Sequence, residues 1–342
     1  MKTRIFLFCA AAIAAFAPAA AGAVDADYFK GKTMRIVIPY DPGGTYDLYG
    51  QTFAHYLNKY IPGKPTIILQ YMPGAGGAKA MNWSYSIMPH DGYYMLTPLD
   101  NTVVNQLLQP KQSQYDARKF NWLGSSNQTN IVMVVRSDTG IKTWEDLKKK
   151  EYVGSAAGTI DTAYIGGKLV NHLLGTKIRE VTGYKGSNAA IMAIEQRESD
   201  LSMYNWLAWV SREQWFQGDK PFARAILQIG TFKDPDLPAS IPMLSDLVKN
   251  PEDQKVIAFV ASLGILGRGL TYPPGVSADL IATMRKAYDG MNADKDFAAD
   301  LKKRKLRLIP STGAQIQKIV TDSLNDATPK IVARAANIIY GK

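Results

Sequence analysis

The sequence predicts an α/β protein built as two lobes with a cleft between them. Three observations carry this expectation. Between residues 34 and 97, apolar strand-like runs alternate with glycine turns and helical spacings. A second unit of the same kind lies within 129–262, and the largely helical tail is expected to return to the first, so that the chain crosses twice. A length of 342 residues suits two domains of ordinary size.

The first unit is organised around Pro39-Tyr-Asp-Pro-Gly-Gly-Thr-Tyr-Asp47. Ile36, Val37 and Ile38 precede it as a strand, and Leu48, Thr52, Phe53, Tyr56, Leu57 and Tyr60 follow at helical spacing. Gly43 and Gly44 permit a sharp turn. Thr45 is expected to cap the helix, which sets Asp47 in its first turn. Such a helix start presents free N–H groups and a positive dipole end, a place for a carboxylate or phosphate. Two alternatives stand beside this reading: a purely structural turn, and Asp47 occupying the dipole itself.

Thr66–Tyr71 reads as the next strand, followed by Pro73-Gly-Ala-Gly-Gly77 opening a helix over 78–87. Tyr93–Thr97 is a third strand, which suggests a parallel, doubly wound sheet with both glycine turns at carboxyl strand ends, where such sheets bind ligands. Strands are expected at 120–124 and 131–135, and a short helix over 144–150 behind Thr143. Small-residue turns at 155–161 and 181–187 precede helices at 163–174 and 189–197, and a strand over 200–205 ends beside Tyr204, Asn205 and Trp206. In the tail, a strand is expected at 265–270 and helices at 279–291, 297–303, 315–325 and 330–339, with Ser277 as a cap. No repeat of fixed period is visible.

Residues 1–23 have the form of a secretory signal peptide: Lys2 and Arg4, an apolar run from Ile5 to Phe16, and Ala21-Gly22-Ala23 as the cleavage site. Cleavage after Ala23 removes Cys9, the single cysteine, and lowers the net charge from +10 to +8. The mature chain then has no disulfide, thiolate metal site or cysteine nucleophile. No later stretch is apolar for long enough to suggest a transmembrane helix. A basic chain can attract acidic small molecules, membranes or nucleic acid. Export argues against nucleic acid and points to the periplasm.

The ordered set of turns resembles the solute receptors of tripartite tricarboxylate transporters, the Bug/TctC family. Pro39–Asp47, Pro73–Gly77, Asp91-Gly92-Tyr93, Gly154–Thr159, Tyr184-Lys185-Gly186 and Pro273-Pro-Gly-Val276 carry the likeness, which spans the expected mature chain. The resemblance implies a type II Venus-flytrap fold of the periplasmic-binding-protein kind. Residues 24–128 with 263–342 would form one lobe and 129–262 the other. It further implies a carboxylate held by backbone N–H groups and small hydroxyls, and delivery to membrane permease subunits. A monomer is expected, with no cofactor or metal.

The candidate ligand residues are Tyr40, Gly43, Gly44, Thr45, Asp47, Ala75 and Gly76 from the first lobe. Ser155, Thr159, Asp161, Tyr184, Lys185, Tyr204 and Trp206 are the candidates from the second. Tyr40, Tyr46, Tyr204 and Trp206 would favour a carboxylate with an aromatic or apolar body, or else belong to the core. The chain departs from the family pattern at Asp41, which replaces the usual proline. It also places Tyr204 and Asn205 where amino-acid-binding members can carry an acid, which speaks against an amino-acid ligand. The basic run Lys302–Arg307 reads as a solvated helix end or a permease-docking face.

Two other outputs compete with transport: a ligand sensor for a membrane partner, and a hydrolase of acidic esters. Ser155, His90 and Asp161 can be written as a triad, but no Gly-x-Ser-x-Gly elbow supports it. His55, His90 and His172 match no zinc spacing, and no glycine loop carries a Walker lysine.

Overall fold

The computed structural model describes residues 24–210 and 212–341. The segment read from sequence as a signal peptide, 1–23, lies outside the described residues.

Eleven strands among the described residues form two sheets. They are β1 (Thr33–Ile38), β2 (Thr66–Tyr71), β3 (Tyr94–Leu96), β4 (Asn121–Ser125), β5 (Ile131–Arg136), β6 (Tyr152–Ala156), β7 (Ile178–Thr182), β8 (Leu201–Asn205), β9 (Ala223–Ile229), β10 (Gly269–Tyr272) and β11 (Ser311–Thr312). The first sheet has the order β11-β4-β10-β3-β1-β2, the second β7-β6-β8-β5-β9. Each sheet has its own apolar core.

The strand–turn–helix units give parallel pairing, as expected: β1 with β2 and β3, and β6 with β7 and β8. The sheets are nonetheless mixed. β10 runs antiparallel to β3 and β4, and β5 antiparallel to β8 and β9. These antiparallel strands adjoin the segments where the chain passes between sheets without a right-handed helical crossover.

The two crossing segments lie side by side. The Ser126 N–H donates to the Arg268 carbonyl at 2.8 Å, and the Arg268 N–H to Asn127 Oδ1 at 2.9 Å. Between them Gly267 has φ +52°, and a Cβ there would meet the Asn127 carbonyl oxygen at 1.8 Å, so only glycine fits this approach. The strand expected at 265–270 therefore begins later, at Gly269, after a short helix over Leu263–Leu266.

The tail helices Ala278–Asn292, Lys295–Lys303 and Gly313–Asp326 start at side-chain caps, Ser277, Asp294 and Thr312. Buried apolar residues of all three belong to the first core. The last helix, Pro329–Tyr340, behaves differently. Ala335, Ile338 and Ile339 pack in the second core beside Ile165, Leu169 and Val260, so this helix straps onto a different core from the other three tail helices. No helix among the described residues is long and apolar enough to cross a membrane.

Candidate functional site

The carboxyl ends of β1, β3, β6, β7 and β8 face a common seam between the sheets, and the lobes are shut against each other there. The Asp41 N–H donates to the Lys185 carbonyl at 3.1 Å. A Cβ on Gly44 would come within 3.0 Å of Ser187 Oγ, and one on Gly76 within 3.1 Å of Ile160.

A cavity of about 190 Å³ remains in the seam, lined by Tyr40, Gly44 and Tyr46 on one side and by Lys185, Ser187 and Asn188 on the other. Two helices begin at it. The helix Thr45–Leu57 has Gly44 as its N-cap, and the helix Ser187–Glu195 has Gly186; neither cap supplies a side-chain hydrogen bond. The sequence expectation that Thr45 is the cap is corrected: Thr45 is the first helical residue. Its hydroxyl oxygen instead accepts from Arg268, at 3.2 Å from Nε and 2.9 Å from Nη2. Two helix starts, one from each lobe, thus meet at one small cavity, where helix dipoles favour negative charge. Lys185 adds a cation at the rim, with its Nζ 4.0 Å from Asp41.

Behind this cavity lies a buried polar layer. Arg268 is 4% exposed and pairs with Asp100 at 3.1 Å, while its guanidinium carbon sits 3.8 Å from the centre of the Tyr46 ring. Asp100, at the end of the first sheet, also accepts from two residues of the second lobe, Thr162 at 3.3 Å and Asn205. Asn101 donates to the Ile160 carbonyl, and its Oδ1 is buried without a partner. Asp161 accepts from the Ala157 N–H at 2.8 Å and the Tyr204 hydroxyl at 2.7 Å. Burial raises its pKa to about 6, against the pull of these hydrogen bonds. Tyr40 and Tyr204 are also raised, by burial first and by the Asp161 charge second.

The sequence candidates divide accordingly. Tyr40, Gly44 and Lys185 line the inter-lobe cavity. Gly43 and Asp47 brace the first loop: the Gly43 N–H donates to Asp47 Oδ2 at 2.8 Å, and Asp47 Oδ1 accepts from the Tyr71 hydroxyl at 2.6 Å. Asp47 thus takes one of the loop's donors for itself. Ala75 and Gly76 touch the second-lobe loop at Gly158.

Ser155 is fully buried and donates to the Ala190 carbonyl at 2.8 Å, which makes it a structural hydroxyl. Thr159 is exposed, and its carbonyl accepts from Tyr340. The Tyr184 hydroxyl lies 3.4 Å from Glu198. Asp161 and Tyr204 belong to the polar layer. Trp206 lies elsewhere, in the wall of a larger cavity. The written triad does not assemble: Ser155 is tied to Ala190, Asp161 to Tyr204, and the His90 ring packs at Gly275. Among the described residues no group of three or more His, Cys, Asp or Glu side chains could hold a metal.

Sequence reasoning missed Arg268, Asp100, Asn101 and Ser187. Ser187 was reachable from the sequence, since it opens a helix after a glycine. Arg268 stands 223 positions from Thr45, and no local pattern marks it.

Two mixed α/β lobes, two adjacent crossings and loops facing across a seam define the fold of a periplasmic binding protein. Within that class the chain is similar to the Bug and TctC receptors. BugD superposes with a TM-score of 0.73 at 17% identity, over 90% of this chain and 98% of its own. MatC from Rhodopseudomonas palustris, solved with bound malate, gives 0.67 at 17% identity, over 90% of this chain and 99% of its own. A UPF0065 protein of Bordetella pertussis is 22% identical over 321 residues, which is 91% of this chain and 92% of the relative. No family model matches the chain.

Proposed function

We propose that the chain is a periplasmic solute receptor that captures a small organic dicarboxylate between its lobes for uptake by a tripartite tricarboxylate transporter. The observation that carries this reading is the meeting of two helix starts without side-chain caps, one from each lobe, on the 190 Å³ cavity beside Lys185. One carboxylate can take the donors of the first-lobe helix and the other those of the second. A ligand that bridges the lobes binds the closed form better than the open one, and this difference shifts the population towards closure. Pockets for drug-sized ligands start at about 300 Å³, so the smaller space favours a short acid over an aromatic one. The malate-bound relative supports the same class.

The lobe division follows the sequence reading, 24–128 with 263–342 against 129–262, amended by the strap at 329–340. Periplasmic location rests on the leader-like sequence and the likeness to these receptors. The permease subunits are the proposed membrane partner. Binding requires no bond-making step, so no catalytic residue is assigned.

A thermal-shift panel of short mono-, di- and tricarboxylates tests the proposal. A ligand at 100 times its Kd stabilises the folded state by about 2.7 kcal/mol. Dicarboxylates are expected to raise the melting temperature, and Ser187→Trp, which fills the cavity, is expected to abolish the shift. A panel without a dicarboxylate response would refute the ligand class.

A further inference from the structure

A much larger cavity, about 780 Å³, lies away from the helix starts, between β9 and the residues Trp206, Val210, Phe216 and Gln217. Its volume is about four times that of the inter-lobe cavity and falls within the range of small-molecule sites. The two cavities share no lining residue. Trp206 and Phe216 form one wall, with ring centroids 5.3 Å apart, and Leu237, Pro238 and Ile241 form another. An open recess of this size, apolar in most of its lining and walled by aromatic rings, has the room and the surface to seat a flat ligand.

Charge decides what kind of occupant. Glu213 and Asp236 line the cavity, but each is matched: Glu213 pairs with Lys305, and Asp236 with Arg307. Arg224 also lines it, and its side chain has no ion pair or hydrogen bond among the described residues; its Nε is buried without a partner. A guanidinium that is partly desolvated and unpaired is costly, and a carboxylate satisfies it with two parallel hydrogen bonds. Arg224 also borders a neighbouring 440 Å³ cavity, in whose lining Arg136, Arg197 and Lys220 outnumber Asp138 and Asp219.

The geometry points to a second ligand site in this cavity, for an organic anion with a flat apolar body: the body lies against Trp206 and Phe216, and the carboxylate or sulfonate meets Arg224. Lys305 reaches the rim of the cavity, where it pairs with Glu213. This site is independent of the dicarboxylate reading.

Calorimetric titration of the protein with 2-naphthoate tests the site. One molecule is expected to bind per chain, in the wild type and equally in Ser187→Trp, whose inter-lobe cavity is filled. Arg224→Gln, at a partly exposed position, is expected to weaken binding at least tenfold, and so is replacing the probe by uncharged 2-naphthamide. Ala225→Trp, which fills the cavity, is expected to abolish binding. Absence of 2-naphthoate binding to the wild type, loss of binding in Ser187→Trp, or unchanged affinity in Arg224→Gln or for the amide would each overturn the proposal.

Discussion

Replacing Asp100 by Leu should cost far more stability than an average core substitution, because it strands a buried cation. The pair is 3.1 Å apart, with side-chain exposures of 4% for Arg268 and 5% for Asp100. At that distance and an effective dielectric constant of about 20, the attraction is roughly 5 kcal/mol. Desolvation of the two charges offsets much of this, so the intact pair adds little net stability. Removing one partner is different, since the desolvation of Arg268 remains and its compensation is gone. Thr45 and the Tyr46 ring still contact the guanidinium, which limits the loss. The expected cost of Asp100→Leu is about 3–5 kcal/mol, and Arg268→Met should cost a similar amount by leaving the carboxylate unpaired. The double variant should recover most of it, since an apolar pair of similar volume replaces the ions. Urea unfolding of all four proteins measures these terms. Single-variant losses below about 1 kcal/mol, or a double variant as weak as the sum of the singles, would refute the buried-pair account.

Three further predictions follow from the same geometry. Asp161 keeps its proton more tightly when folded (pKa about 6) than the unfolded chain does, so stability should fall as pH rises from about 4 to 6; the raised pKa is worth roughly 3 kcal/mol. Asp161→Asn should flatten that part of a pH series of urea melts, and an unchanged slope would assign the dependence to other groups. Gly44→Val should lower dicarboxylate affinity by at least tenfold at unchanged fold, because its side chain meets Ser187 across the seam; calorimetry and circular dichroism together read this. Arg307→Ala should cost about 3 kcal/mol and open the lobes, since it leaves the buried Asp234 without its cation. A larger radius of gyration by solution scattering is expected, and an unchanged one would show that the Arg307–Asp234 pair does not hold the lobes together.

Much of the fold is written locally. Ile36-Val37-Ile38 before Gly43-Gly44, and Val153-Gly154 before the small turn at 155–161, name a strand, a turn and a helix within about thirty residues each. The antiparallel members of the sheets depend on which distant segments meet, as β10 does with β4 across nearly 150 residues of chain, and periodicity carries no such information. The site divides in the same way. Gly44 and Lys185 sit in loops whose role follows from local turn chemistry. Arg268 lies beside a crossing segment and gains its meaning only when Thr45, Tyr46 and Asp100 surround it. Ser155 and Thr159 flank the expected loop, but one side chain turns into the core and the other out to solvent. Trp206 follows Asn205 directly, yet the start of a new helix turns its ring away from the seam, into the second cavity.

The most direct test of the central claim is a calorimetric titration of a short dicarboxylate against its dimethyl ester on the same protein. Saturable one-to-one binding of the diacid, no binding of the ester, and loss of the diacid signal in Ser187→Trp are predicted. Equal binding of ester and acid, or a signal that survives in Ser187→Trp, would contradict capture of a carboxylate between the two helix starts.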